Sequence, residues 1–133
     1  MLWSEITIQT SSRTQFVDVT RLVSEALSRS GVKNGLCYAY VPHTTAGVTI
    51  NENADPDVVT DILNALEKLV PVNGNYSHAE GNSDAHLKAS IMGFSQMIPV
   101  IGGKPALGSW QGIYFCEFDG PRKRRMLVGV IGE

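Results

Sequence analysis

The chain has 133 residues, 43% apolar and 18% charged, with 11 Lys+Arg against 13 Asp+Glu and a formal net charge of −2. This length and apolar content fit one domain, residues 1–133, with its own core, and exclude an intrinsically disordered chain. The near-neutral charge leaves no electrostatic footprint for nucleic acid, and no apolar run reaches the ~20 residues of a membrane-spanning helix.

Residues 1–10 have no basic leader and no long apolar stretch, so no secretory signal is expected and a cytoplasmic location is. Ile6 and Ile8 alternate with polar residues and predict a strand over 5–10. Phe16, Val17 and Val19 predict a short strand running into a helix over 19–30. That helix is faced by Val19, Leu22, Val23, Ala26 and Leu27 and stopped by Gly31. Residues 36–41 are apolar on both faces, which places that strand centrally in its sheet. Val48 and Ile50 mark the next strand, ending at Asn51-Glu52-Asn53.

A second helix opens with Asp55 as cap, Pro56 in the first turn and Asp57 beside it. Val58, Val59, Ile62, Leu63, Leu66, Leu69 and Val70 form its core face, and Pro71 ends it. Residues 72–83 are too polar for a core element. A short helix is expected over 84–92, then strands over 96–100, 112–118 and 125–131, with turns at 102–105 and 119–121. This order is not a βαβ alternation, so the expected fold is an α+β sandwich with a mostly antiparallel sheet and about three helices. Cys37 and Cys116 lie in apolar stretches and are expected as buried thiols, not a disulfide.

The chemistry concentrates in polar clusters. His43 precedes Thr44-Thr45, and His78 and His86 bracket Glu80-Gly81-Asn82-Ser83-Asp84. Three imidazoles with an open position make a zinc site in some enzymes, so His43, His78 and His86 are candidate ligands of a divalent metal, zinc first, or of a phosphate directly, and His43 is also a candidate catalytic group. The plain alternative is that each histidine bonds locally at an element end. The start of the helix after Asn82 suits an anion, with Gly81 allowing close backbone approach and Lys88 adding charge one turn in. Its own alternative is an ordinary cap by Asn82, Ser83 or Asp84.

Glu52, between Asn51 and Asn53, is a candidate acid/base, as is Glu80, and Asp84 a candidate orienter of a histidine. Thr44, Thr45 and Asn51 are candidate donors to a substrate. Trp110 and Gln111 are candidate walls of a pocket, against the plain reading of Trp110 as a core anchor. The run Arg122-Lys123-Arg124-Arg125 reads as a solvated charge run, with Arg122 as a candidate phosphate ligand.

Three motifs in order, His43-Thr44-Thr45-Ala46-Gly47 with Asn51-Glu52-Asn53, His78-x-Glu80-Gly81-Asn82-x-Asp84-Ala85-His86-x-Lys88, and Gly108-x-Trp110-Gln111-Gly112-Ile113-Tyr114, resemble the YjbQ-like family. That family is also called the secondary thiamine-phosphate synthase family. The resemblance implies a small α+β protein, a homotrimer, and a histidine-rich pocket near a subunit interface. It also implies thiamine-phosphate synthase-type activity on a phosphorylated heterocyclic substrate, with no nucleotide cofactor expected. A zinc-dependent hydrolase using the same histidines, and a non-catalytic trimer that binds a metabolite or anion, are the two alternatives.

Overall fold

A computed structural model describes residues 1–133. In chain order it has β1 (Leu2–Gln9), β2 (Gln15–Asp18), α1 (Thr20–Ser30), β3 (Asn34–Tyr40), β4 (Ala46–Glu52), α2 (Pro56–Leu69), α3 (Ser83–Met92), β5 (Ser95–Ile101), β6 (Lys104–Pro105), β7 (Gln111–Glu117) and β8 (Lys123–Gly132). The strands build a five-stranded sheet, β1-β8-β3-β5-β6, and a three-stranded sheet, β2-β7-β4. Every pairing is antiparallel, so the chain is the expected α+β sandwich with three helices.

The alternation of side chains along the strands places two cores. Ile6, Ile8, Cys37, Ala39, Ile98, Val100, Met126, Val128 and Val130 point inward from the large sheet. They meet Ala46, Val48, Ile113 and Phe115 from the small sheet and Val19, Val23, Ala26 and Leu27 at α1. The other face of the small sheet carries Tyr114, Cys116 and Phe118, which pack under α2 and α3 against Leu66, Ala85 and Ala89. Both cysteines are free and buried. No helix is long and apolar enough to cross a membrane.

Local signals explain most element ends. Gly31 adopts φ 75° and closes α1, a left-handed geometry that glycine tolerates without strain. The Asp55 carboxylate accepts the Asp57 N–H at 2.9 Å and caps α2. β3 is central, third of five, as its composition requires.

Three expectations are corrected. The turn at 102–105 contains a strand: Gly102 and Gly103, at φ 61° and 77°, make a two-residue reversal that pairs Lys104 with Ile101. The core face of α2 is mostly half-buried, with only Leu66 and the capping Val70 inside and Leu69 71% exposed, because α2 lies on the outside of the small sheet. The basic run is not all solvated: it opens β8, and strand alternation turns Arg124 inward, where it is 4% exposed.

No other element of the chain covers the outer face of the large sheet. Register puts Trp3, Gly129, Tyr38 and Met97 in one row across it, and Ile131, Leu36 and Pro99 in the next. Trp3, Tyr40, Met97, Ile101 and Ile131 are all exposed there.

Candidate functional site

The loop 72–82 and the first turn of α3 form a cleft of about 340 Å³, lined by Tyr76, Ser77, His78, Ser83, His86 and Leu87. The absence of a Cβ at Gly74 lets the Tyr76 ring lie against it, where a Cβ would meet that ring at 2.4 Å. Ser83, His86 and Leu87 are three and four residues apart and share one side of the helix. The imidazoles of His78 and His86 meet edge to face with ring centroids 5.4 Å apart, and His78 Nε2 lies 3.6 Å from Glu80 Oε2. Ser83 Oγ is buried and has no hydrogen-bond partner. Asn82 does not cap α3 with its side chain; its Nδ2 donates to Asp119 Oδ2 at 3.0 Å instead, and its Oδ1 is unpartnered. Gly81 has φ 81° with open space around it, so its role is the left-handed turn and not a close approach.

Directly behind this cleft lies a charge network. The fully buried Asp84 accepts both guanidinium nitrogens of Arg13 at 3.0 Å and Lys88 Nζ at 3.0 Å. Lys88, itself 1% exposed, also donates to Glu67 Oε2 at 2.7 Å. Burial alone would raise the Asp84 carboxyl, but the hydrogen bonds from Arg13 and Lys88 outweigh it and hold it below the usual carboxylate range. Asp84 therefore braces the helix and makes no bond to a histidine, and Lys88 is consumed inside instead of facing a ligand. Arg13 and Glu67 carry no sequence signal, because their partners lie 71 and 21 residues away.

His43 stands elsewhere, in the 41–45 loop between β3 and β4. Its Nε2 accepts the Arg125 N–H at 3.1 Å. It lines a cleft of about 390 Å³ with Thr44, Tyr40 and Phe94, and a polar one with Glu5, Thr7 and residues 123–125. Neither shares a residue with the His78–His86 cleft. Burial, then the positive charges of Arg124 and Arg125, push the His43 imidazole below its ordinary value, so it is neutral at pH 7. A neutral imidazole has one free lone pair, and here Arg125 uses it; the other nitrogen carries the proton.

Beneath His43 lies a second network. Glu117 is fully buried and accepts from Thr10 Oγ1 at 2.7 Å, from Arg124 Nε at 2.8 Å and through Oε2 from Arg124 Nη2. The Phe118 and Asp119 N–H groups also donate to it. Arg124 Nη2 also reaches Thr45 Oγ1 at 2.9 Å, so Thr45 is structural. Arg122 folds back on Asp119 through Nε and Nη2, which occupies it.

The remaining candidates sit at the far end of the small sheet. Glu52 pairs with Gln111 six residues along β4 from Ala46, about 20 Å at ~3.3 Å per residue. The Asn51 side chain accepts the Glu52 N–H, and Gln111 accepts the Gly108 N–H. Trp110 is 65% exposed and lines no cleft, so it is neither a pocket wall nor a core anchor within one chain. A single chain thus gathers His78, Glu80 and His86 but leaves His43 and Glu52 apart from them. It holds no cluster of three His, Cys, Asp or Glu side chains able to bind a metal. The three-histidine zinc set does not fit within one chain.

A family profile described as "UPF0047 protein YjbQ-like" matches residues 4–133. UPF0047 protein MJ1081 of Methanocaldococcus jannaschii is 56% identical over 126 residues, covering 95% of this chain and 91% of its own. UPF0047 protein YugU of Bacillus subtilis is 48% identical, covering 94% and 96%. The crystal structure of an uncharacterized conserved protein of the same family from Clostridium acetobutylicum superposes with a TM-score of 0.95 at 56% identity, covering 96% of this chain and 99% of that one. That of a hypothetical protein from Aeropyrum pernix gives 0.95 at 44% identity, with both chains covered in full. The chain belongs to the YjbQ-like UPF0047 family.

Proposed function

We propose that this family member is an enzyme that acts on a small phosphorylated heterocycle at the His78–His86 cleft. The imidazole pair, 5.4 Å between ring centroids at the start of a helix, carries the reading. Two adjacent imidazoles in one cleft offer a reacting group a proton acceptor and a proton donor. The unpartnered Ser83 hydroxyl and the first N–H groups of α3 suit an oxyanion, and Tyr76 and Leu87 give apolar walls to a flat ring. Glu80, whose Oε2 lies 3.6 Å from His78 Nε2, stands beside the pair as a further carboxylate at the mouth of the cleft.

Thiamine-phosphate synthase-type coupling is the reaction we put first, on the three motifs that carry the family resemblance. The assembly we propose is a homotrimer, supported by the uncovered apolar face of the large sheet. A zinc-dependent hydrolase is the second reading, favoured by the paired imidazoles; its third protein ligand would come from another copy of the chain.

The test is turnover of phosphorylated thiamine precursors by the wild type and by His78→Ala and His86→Ala. Each substitution is expected to lower kcat/KM by about 10²–10⁴-fold with the melting temperature unchanged. Full activity in both variants overturns the reading. Ligand-dependent stabilisation without turnover turns it into a binding protein. About one zinc per chain by mass spectrometry, lost in the variants, turns it into the hydrolase. A monomer in mass photometry removes the trimer.

A further inference from the structure

Where the apolar rows of the outer sheet face end, a cleft of about 240 Å³ opens that has no apolar side chain in its lining: Glu5, Thr7, His43, Lys123, Arg124 and Arg125. β1 and β8 are in register there, with Thr7 opposite Arg125 and Gln9 opposite Lys123. Alternation therefore sends Thr7, Lys123 and Arg125 out through the same face while Arg124 turns inward. His43 reaches over from the 41–45 loop and is fixed by the Arg125 N–H on its Nε2. Its Nδ1 proton has no acceptor in the chain.

The charges do not cancel. Glu117 neutralises Arg124 from below, and Glu5 neutralises Arg125 through a single 2.8 Å contact on Nη1. Lys123 has no ion-pair partner. The lining is left with one net positive charge, free guanidinium N–H groups, a hydroxyl and an imidazole N–H.

We propose that this cleft is an oxyanion site that takes the phosphate of a phosphate monoester, or inorganic phosphate itself. Lys123 and Arg125 supply charge and Thr7 and His43 Nδ1 supply neutral donors, a set that matches a tetrahedral oxyanion. The neutral imidazole adds a donor without adding repulsion between Arg124 and Arg125. The site shares no residue with the His78–His86 cleft and stands whether or not that cleft is catalytic.

Inorganic phosphate and a simple phosphate monoester, titrated separately into the full-length protein, test this through the His43 ring resonances in NMR. An anion in the cleft screens His43 from Arg124, Arg125 and Lys123 and adds to the influence of Glu117 and Glu5, so binding is expected to move the His43 signals and raise its titration midpoint. Lys123→Ala and Arg125→Ala, both at exposed positions, are expected to weaken binding about tenfold each. His78→Ala with His86→Ala should leave it intact. A monoester about tenfold tighter than phosphate assigns the site to a phosphorylated molecule, and equal affinity assigns it to phosphate. Unmoved His43 signals at about 10 mM phosphate, ten times a weak 1 mM Kd, overturn the proposal. So does an undiminished response in the Lys123→Ala/Arg125→Ala double variant.

Discussion

Glu117 and Asp84 are both fully buried carboxylates, each lies under a histidine-bearing segment, and each is held by arginine. Around Glu117 every partner is inside: Arg124 is 4% exposed, Thr10 1%, and two backbone N–H groups complete the cage. Around Asp84 the network runs outward, through an Arg13 side chain 36% exposed and from Lys88 to a Glu67 side chain 47% exposed. The first network is a closed floor that sets Thr45 and the 41–45 loop. The second ties the β1–β2 loop, α2 and α3 together and can trade its outer members for water. A buried ion pair is retained where both partners find further hydrogen bonds, and the way each network is closed determines what its loss costs.

Glu117→Ala gives the largest expected effect. It strands Arg124 in the interior and takes the carboxylate partner from Thr10, whose hydroxyl keeps only its bonds to the Arg122 backbone, and a loss of about 3–5 kcal/mol is expected in urea unfolding. A loss below about 1 kcal/mol would show that water enters the cage. Lys88→Met follows, at about 1–3 kcal/mol, because Asp84 keeps both Arg13 contacts. Arg13→Ala is expected to cost less, about 1 kcal/mol, since Lys88 still satisfies Asp84 and the guanidinium is partly solvated. If Arg13→Ala matched Glu117→Ala, the contrast between the networks would fail. Trp110→Ala, on the exposed surface, is expected within about 0.5 kcal/mol.

Acid separates three groups. The Asp84 and Glu117 carboxyls are both depressed on folding, by hydrogen bonds that exceed the cost of burial. Their contribution is complete above the unfolded value, near 4, and is lost as pH falls through their lower folded values. His43 is depressed as well, so the folded state binds fewer protons there than the unfolded state. Its contribution is complete above about pH 6.5 and erodes as pH falls towards its folded value. Urea stability against pH is expected to fall in two limbs, the upper one absent in His43→Asn and the lower one reduced in Glu117→Gln.

The fold was largely legible because its signals are local. Asp55-Pro56, Gly31 and the alternation of Ile6 and Ile8 act within a few residues, and the elements formed where they point. The histidine cleft was half legible: His78, Glu80 and His86 lie within one loop and turn, so sequence proximity brought them together. His43 joined them in sequence only by residue type, and pairing across the sheet carried it to Arg125. Arg124 reads as part of a solvated charge run and Lys88 as a charge for a bound anion, because a cation with no visible partner is assigned to water or to a ligand. Their acids, Asp84 and Glu117, were visible, but the pairing depends on a helical i,i+4 spacing in one case and a reversal between β7 and β8 in the other.

The two free thiols fall one in each core: Cys37 between the sheets, Cys116 beneath the helices. Burial pushes the Cys37 thiol up to about 11 and raises Cys116 as well, so neither reacts while its core is shut. Each sulfur therefore works as a clock for its own half of the molecule. The rate at which a thiol reagent reaches Cys116 alone measures how often the helical layer lifts, and joint labelling of both measures how often the whole sandwich opens.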